Sequence, residues 1–202
     1  MIPEFVEFNK IARLNRSAII TEKIDGTNGC LFIGYDGTFM PGSRSKWLTD
    51  DGPDNFGFRA WCKANKDELM TLGPGLHFGE WWGSGIQRGY GLTGGEKRWS
   101  LFNVTRWCLS SQTPEIIQSN NPVAPPKYQD VLPALVGLVP VLYRGGFVDA
   151  VGHVQDVLLN LQDEGSRAAA GFAKPEGVVL FHVAANMSLK WTLDGDGAKG
   201  PR

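Results

Sequence analysis

Apolar runs in this chain are short, and glycine keeps interrupting them. Twenty-six of the 202 residues are glycine, about twice the usual share of roughly 7%. β-Branched and aromatic stretches at residues 18–21, 30–33, 76–82, 99–107, 136–143, 177–183 and 187–193 read as strands. Only residues 55–70 and 148–161 carry apolar side chains at helical spacing. Phe58, Trp61, Cys62 and Leu69 would form the buried side of the first helix, and Val151, Val154, Val157, Leu158 and Leu161 that of the second. Strands therefore outnumber helices and do not alternate with them. That order predicts an α+β fold with antiparallel sheets rather than a doubly wound parallel one.

The connections are equally constrained. Residues 83–95 are the most glycine-dense stretch and predict a long mobile loop. Residues 110–127 are polar and proline-rich, as expected of a surface connection, and 168–171 form a small-residue loop. Residues 194–202 should fray. There is no internal repeat, and the length fits one domain spanning residues 1–202.

Charge and cysteine usage narrow the class. Twenty Lys and Arg against 21 Asp and Glu leave a formal net charge of -1, which removes bulk basicity as an argument for nucleic-acid binding but permits a local basic groove. Cys30, Cys62 and Cys108 are too far apart in sequence for a zinc knuckle or a disulfide framework and read as reduced thiols. No apolar run reaches the roughly 18 residues of a membrane span, and the first residues are acidic and mixed rather than signal-like. A cytoplasmic location without membrane contact is expected.

The chemistry concentrates in Glu22-Lys23-Ile24-Asp25-Gly26-Thr27-Asn28. A lysine at a strand end can face a cleft on a rigid stem, and neighbouring cations would favour its neutral, nucleophilic form. Asp25-Gly26 would make the turn, with Gly26 supplying a positive φ. Further along, Glu80 sits among Phe78-Gly79-Glu80-Trp81-Trp82-Gly83 and Glu176 in Pro175-Glu176-Gly177-Val178-Val179. Such carboxylates can accept hydrogen bonds from hydroxyl groups or hold a hard cation.

The first of these segments resembles the Lys-x-Asp-Gly signature of the covalent nucleotidyltransferases, the ATP-dependent ligases and mRNA capping enzymes. Its longer form resembles the Glu-Lys-x-x-Gly-Thr-Asn of the RNA ligase 2-type branch, in particular small phage-like members that consist of the nucleotidyltransferase domain. Ser43-Arg44 resembles the family's Ser-Arg element, the segment around Glu80 its motif III, Phe102-Asn103 its motif IIIa, and Glu176-Gly177 its motif IV. Lys190 stands where the family has Lys-x-Lys, so one cation of motif V is missing; Lys199 could compensate from the tail. The acidic residue usual after the motif IIIa aromatic is Asn103 here.

The resemblance implies a ligase-type nucleotidyltransferase domain, with antiparallel sheets and flanking helices around an ATP cleft. It implies ATP and Mg²⁺ (or Mn²⁺), with Lys23 as nucleophile, Arg44 and Lys190 as phosphate contacts, and Glu176 as metal ligand. Glu80 would hold ribose and Phe102 would stack on the base. Asn28 would complete the nucleotide site, and Glu22 would assist adenine recognition. RNA with 5′-phosphate and 3′-hydroxyl ends is the implied partner. With no OB-fold or helical module expected after Lys190, Arg88, Lys97 and Arg98 would grip the strand and Tyr90, Trp81 and Trp82 would stack on it. A DNA ligase or 5′-adenylating enzyme on the same domain, and a non-catalytic binding relic, remain alternatives.

Overall fold

The computed structural model describes residues 11, 13–104 and 132–195. Among these, β1 (Ser17–Lys23), β7 (Val141–Gly146), β8 (Gly177–His182) and β9 (Met187–Thr192) form a four-stranded antiparallel sheet in the order β7-β1-β8-β9. A five-stranded sheet runs β3-β2-β4-β5-β6, built from β2 (Thr27–Ile33), β3 (Phe39–Gly42), β4 (Gly75–Gly83), β5 (Lys97–Leu101) and β6 (Val136–Leu138). It is antiparallel except for the β5–β6 pair. Three helices accompany the sheets: α1 (Phe58–Ala64), α2 (Lys66–Met70) and α3 (Phe147–Glu164). The α+β expectation holds.

β1 is buried on both faces, which explains why its sequence is continuously apolar rather than alternating. Ala18 and Ile20 pack with Val154, Val157, Leu158 and Leu161 of α3 and with Val178 and Leu180 of β8. Ile19, between them, joins a second core shared with the five-stranded sheet. There Phe58 and Trp61 of α1 meet Trp81 and Trp99, with ring centroids 5.0–6.0 Å apart. Trp61, Trp81 and Trp99 thus form an aromatic core with Phe58.

Several expectations need correction. The helix predicted over 55–70 is two short helices. Asn65 breaks it, with φ -117° and ψ 24°, and its side-chain amide donates to the Trp61 carbonyl in place of continuing the helix. Residues 136–143 are not one strand: β6 and β7 belong to different sheets. Pro140, which has no N–H to give a ladder, lies between them. In α3, Val151 is exposed and Ala150 takes the buried place. The glycine-rich stretch is packed rather than open: Tyr90 is buried between Trp82 (5.3 Å) and Phe172 (4.5 Å). The connection at 110–127, the strand expected beyond residue 104, Cys108 and Lys199 lie outside the described residues.

No helix among the described residues is long and apolar enough to cross a membrane.

Candidate nucleotide-transfer site

β1 leaves one sheet at Lys23, and β2 enters the other at Thr27. Residues 24–26 are therefore the corner between the sheets, and a cleft of about 610 Å³ opens beside it. That volume lies within the range of small-ligand sites. Ile19, Thr21, Val139, Val179 and Phe181 line it on one side and Asn28, Phe78, Glu80, Leu101 and Phe102 on the other. Apolar and polar side chains share the wall, with Thr21, Asn28 and Glu80 near Lys23 and Asn186 and Ser188 farther along it.

Side chains directly opposite in an antiparallel sheet share a face. Ile19, Thr21 and Lys23 pair with Phe181, Val179 and Gly177 of β8, whose neighbours on β9 are Ser188, Lys190 and Thr192. Lys190 thus lies on the cleft side of its sheet, two strands from β1 and one cross-strand row from Lys23. It is exposed and not part of the cleft wall itself.

Lys23 Nζ donates to Glu176 Oε2 at 2.5 Å. The Glu176 side chain is 4% exposed and that of Lys23 24%, so the ion pair is largely shielded from solvent where Lys23 enters the cleft wall. Gly177, next to Glu176, could not be substituted freely, because a Cβ there would run into the Trp191 carbonyl of β9.

Gly26 is required by packing. Its φ is not in the left-handed region, contrary to the sequence expectation, but a Cβ would lie 2.5 Å from the Trp81 carbonyl oxygen and 2.8 Å from Trp82 Cβ. The bare backbone lets the corner press onto β4, where Gly26 N–H donates to Glu80 Oε1 at 3.0 Å. Asn28 Nδ2 donates to the other Glu80 oxygen at 3.5 Å. Burial pushes the Glu80 carboxyl up to about 7, against the opposing pull of Lys23 and the Gly26 N–H. Asn55 pins the start of β2: its Oδ1 accepts from Thr27 Oγ1 and its amide donates to the Asn28 carbonyl.

Glu22 points the other way. By strand alternation it faces α3, where its carboxylate accepts from Ser166 Oγ (2.6 Å), Arg167 N–H (2.7 Å) and Ala168 N–H (3.0 Å). Burial raises its pKa despite those bonds. The carboxylate therefore anchors the loop after α3, and sequence reading offered no signal for that partner because two of the three donors are backbone.

Phe102 and Phe78 are half-exposed at the cleft wall, and Phe102 N–H donates to the Phe78 carbonyl at 2.9 Å. Asn103 also lines the cleft. Arg44 is exposed on the loop after β3 and outside the cleft lining.

The residues expected to grip a strand are otherwise engaged. Trp81, Trp82 and Tyr90 are buried and offer no stacking face. Arg98 pairs with Glu96 and lies over Trp82, and Lys97 donates to the Phe56 carbonyl. Arg88 binds Asp25 and Asp194 and two backbone carbonyls. The Tyr90 hydroxyl accepts from the Asp25 N–H at 3.0 Å.

The whole of this arrangement, from β1 to the end of β9, falls within a match to the RNA ligase family over residues 16–192. The chain belongs to the RNA ligase family. Solved structures share its fold. Mutants of the Naegleria gruberi RNA ligase align at TM-score 0.53 and 19% identity with ATP and Mn bound, covering 89% of this chain and 50% of that one. Another with AMP and Mn aligns at 0.55 and 18%, covering 96% and 57%. A third with AMP and Mn aligns at 0.56 and 17%, covering 96% and 57%. This RNA ligase family member thus spans about half the length of the ligases it matches. No curated protein matches it.

Proposed function

We propose that this RNA ligase family member is an ATP-dependent RNA ligase domain working through a covalent adduct of AMP on Lys23. The observation that carries the reading is the placement of Lys23 in the wall of a nucleotide-sized cleft, with its Nζ 2.5 Å from Glu176 and beside Glu80. Family membership and the ATP- and AMP-bound state of the related Naegleria ligases support it.

The Lys23 ammonium passes a proton to Glu176 Oε2 across their ion pair, and the neutral amine so formed attacks the α-phosphorus of ATP. A P–N bond forms, the P–O bond to pyrophosphate breaks, and the second proton of the nitrogen leaves to water or to the departing pyrophosphate. A 5′-phosphate oxygen of RNA then attacks the same phosphorus. The P–N bond breaks, Lys23 regains a proton, and AMP is joined to the RNA end. A 3′-hydroxyl attacks the RNA 5′-phosphorus, a phosphodiester forms and AMP leaves. Positioning and charge neutralisation supply the catalysis.

Within the cleft, Phe102 would flank the base, and Glu80 with Asn28 would meet the ribose. Lys190 would turn its ammonium to the phosphates from β9, and Arg44 would reach them from the loop after β3. The Glu22 carboxylate would act on adenine only through the loop that it anchors. No group of three or more His, Cys, Asp or Glu among the described residues could hold a metal. Glu176, a hard oxygen donor, suits Mg²⁺ or Mn²⁺ of the kind that takes one or two protein oxygens and completes its shell with phosphate and water. Such a cation would neutralise phosphate charge.

A second reading, nucleotide binding without transfer, is favoured by the single lysine of β9. Intact mass after incubation with ATP and Mg²⁺ separates the two. A gain of one AMP by the wild type and none by Lys23→Ala supports the ligase. No adduct, after pyrophosphate treatment to strip AMP carried from expression, overturns it. Offering the adduct 5′-phosphorylated RNA and DNA then separates an RNA ligase from a DNA ligase or 5′-adenylating enzyme.

A further inference from the structure

One guanidinium ties together three segments of chain that carry site residues. Arg88 Nε donates to Asp25 Oδ2 at 3.1 Å, two residues after Lys23. Its Nη1 donates to the Lys174 carbonyl at 3.2 Å and the Pro175 carbonyl at 3.4 Å, immediately before Glu176. Its Nη2 bonds Asp194, which follows β9 and so follows Lys190. A planar fork with five donors on three nitrogens can reach four acceptors spread over these segments, whereas an ammonium has three donors on a single atom.

The backbone around Arg88 is built to deliver it. Gln87 (φ 44°) and Tyr90 (φ 49°) are non-glycine residues in the left-handed region, and Gly89 lies there too (φ 66°). Such conformations persist only where surrounding contacts impose them. Here they are imposed by Tyr90, buried against Trp82 and Phe172, with its hydroxyl donating to the Lys23 carbonyl at 3.4 Å and accepting from Asp25 N–H. Arg88 and Tyr90 therefore reach the Lys23–Asp25 corner from the same turn.

We propose that Arg88 is a positioning residue for nucleotidyl transfer: it fixes the Lys23 corner against the lead-in to Glu176, so that the amine and its carboxylate partner keep their register. The inference rests on the ligase reading above. Arg88 does not line the cleft, so it acts through the segments that it joins.

The test measures single-turnover AMP transfer to Lys23 in wild type, Arg88→Ala and Arg88→Lys, with hydrogen exchange on the same proteins. Misplacement of a reacting group by about 1 Å can cost on the order of 100-fold. Arg88→Ala should therefore slow transfer at saturating ATP roughly 10–100-fold, with KM for ATP changed far less. Arg88→Lys should be intermediate, and millimolar guanidinium should partly restore Arg88→Ala. In Arg88→Ala, amides of residues 23–26 and 174–177 should exchange faster together, while α3 is unchanged. Unaltered transfer, or unaltered exchange in both segments, overturns the proposal. So does a loss that follows global unfolding and that guanidinium does not relieve. If the wild type itself forms no adduct, the ligase reading fails and the exchange measurement alone decides whether Arg88 holds the two segments.

Discussion

Lys23 Nζ and Glu176 Oε2 lie 2.5 Å apart although 153 residues separate them in sequence. The contact follows from strand pairing: β1 ends opposite the start of β8, with Lys23 beside Gly177. Sheet register thus sets the amine beside Gly177, and the carboxylate stands on the residue immediately before that strand.

Lys23→Ala should be destabilising as well as inactive. It would leave Glu176, with a side chain only 4% exposed, without its lysine partner. Breaking a buried pair costs about 3–5 kcal/mol, and the partial exposure of Lys23 reduces this to roughly 1–3 kcal/mol. Lys23→Ala/Glu176→Gln should recover part of the loss. Urea melts at pH 8 check it; a double variant less stable than the single one would refute the pairing argument.

Much of this site was legible in the sequence, because strand ends and turn chemistry are local. The strands at 18–21, 30–33, 76–82, 177–183 and 187–193 could be read from short apolar runs; Lys23 and Glu176 stand at or beside the ends of two of them and Glu80 within a third. What could not be read depends on contacts remote in sequence. The glycine-rich stretch looks mobile until Tyr90 finds Trp82 and Phe172. Arg88 reads as a strand-binding cation until Asp25 and Asp194 come into range. Residues 136–143 form a plausible strand until Pro140 and two separate sheets divide them. Glu22 has no partner in any motif, because Arg167 and Ala168 meet it through their N–H groups.

Glu80 makes stability pH-dependent. Its carboxyl is raised from 4.5 to about 7 by burial, so the folded state binds a proton that the unfolded chain has already released. Stability from this group is complete below about pH 4.5 and is lost as pH rises through about 7. The loss is on the order of 2 kcal/mol after allowance for partial exposure. Glu80→Gln should flatten that slope and be the more stable protein at pH 8. Chemical denaturation from pH 5 to 8 measures it; identical slopes in the two proteins would exclude the effect.

Glu22→Gln should loosen the loop after α3. The amide keeps the volume but presents an NH₂ where both carboxylate oxygens now accept bonds from Ser166, Arg167 and Ala168. Each unsatisfied buried group costs about 1–3 kcal/mol. The expected result is a destabilisation of roughly that size, with faster hydrogen exchange at residues 166–169. Unchanged protection there would mean that the loop is held by something other than this carboxylate.

Gly26→Ala and Gly94→Ala should separate the two reasons for glycine in this chain. At Gly94 (φ 62°) an added Cβ meets nothing within 4 Å, so only the left-handed backbone opposes substitution, at about 1–2 kcal/mol. At Gly26 the backbone is permissive but the Cβ would sit 2.5 Å from the Trp81 carbonyl oxygen and 3.1 Å from Glu80 Cγ. Relief of that overlap must lift the corner off β4, which breaks the Gly26 N–H bond to Glu80 and moves Lys23 with it. Overpacking of this kind costs roughly 1–3 kcal/mol. The two variants are therefore expected to be comparable in thermal melts. Transfer of AMP to Lys23 should fall steeply only in Gly26→Ala. Equal transfer rates in the two proteins would show that the close approach of the corner to β4 does not govern the position of Lys23.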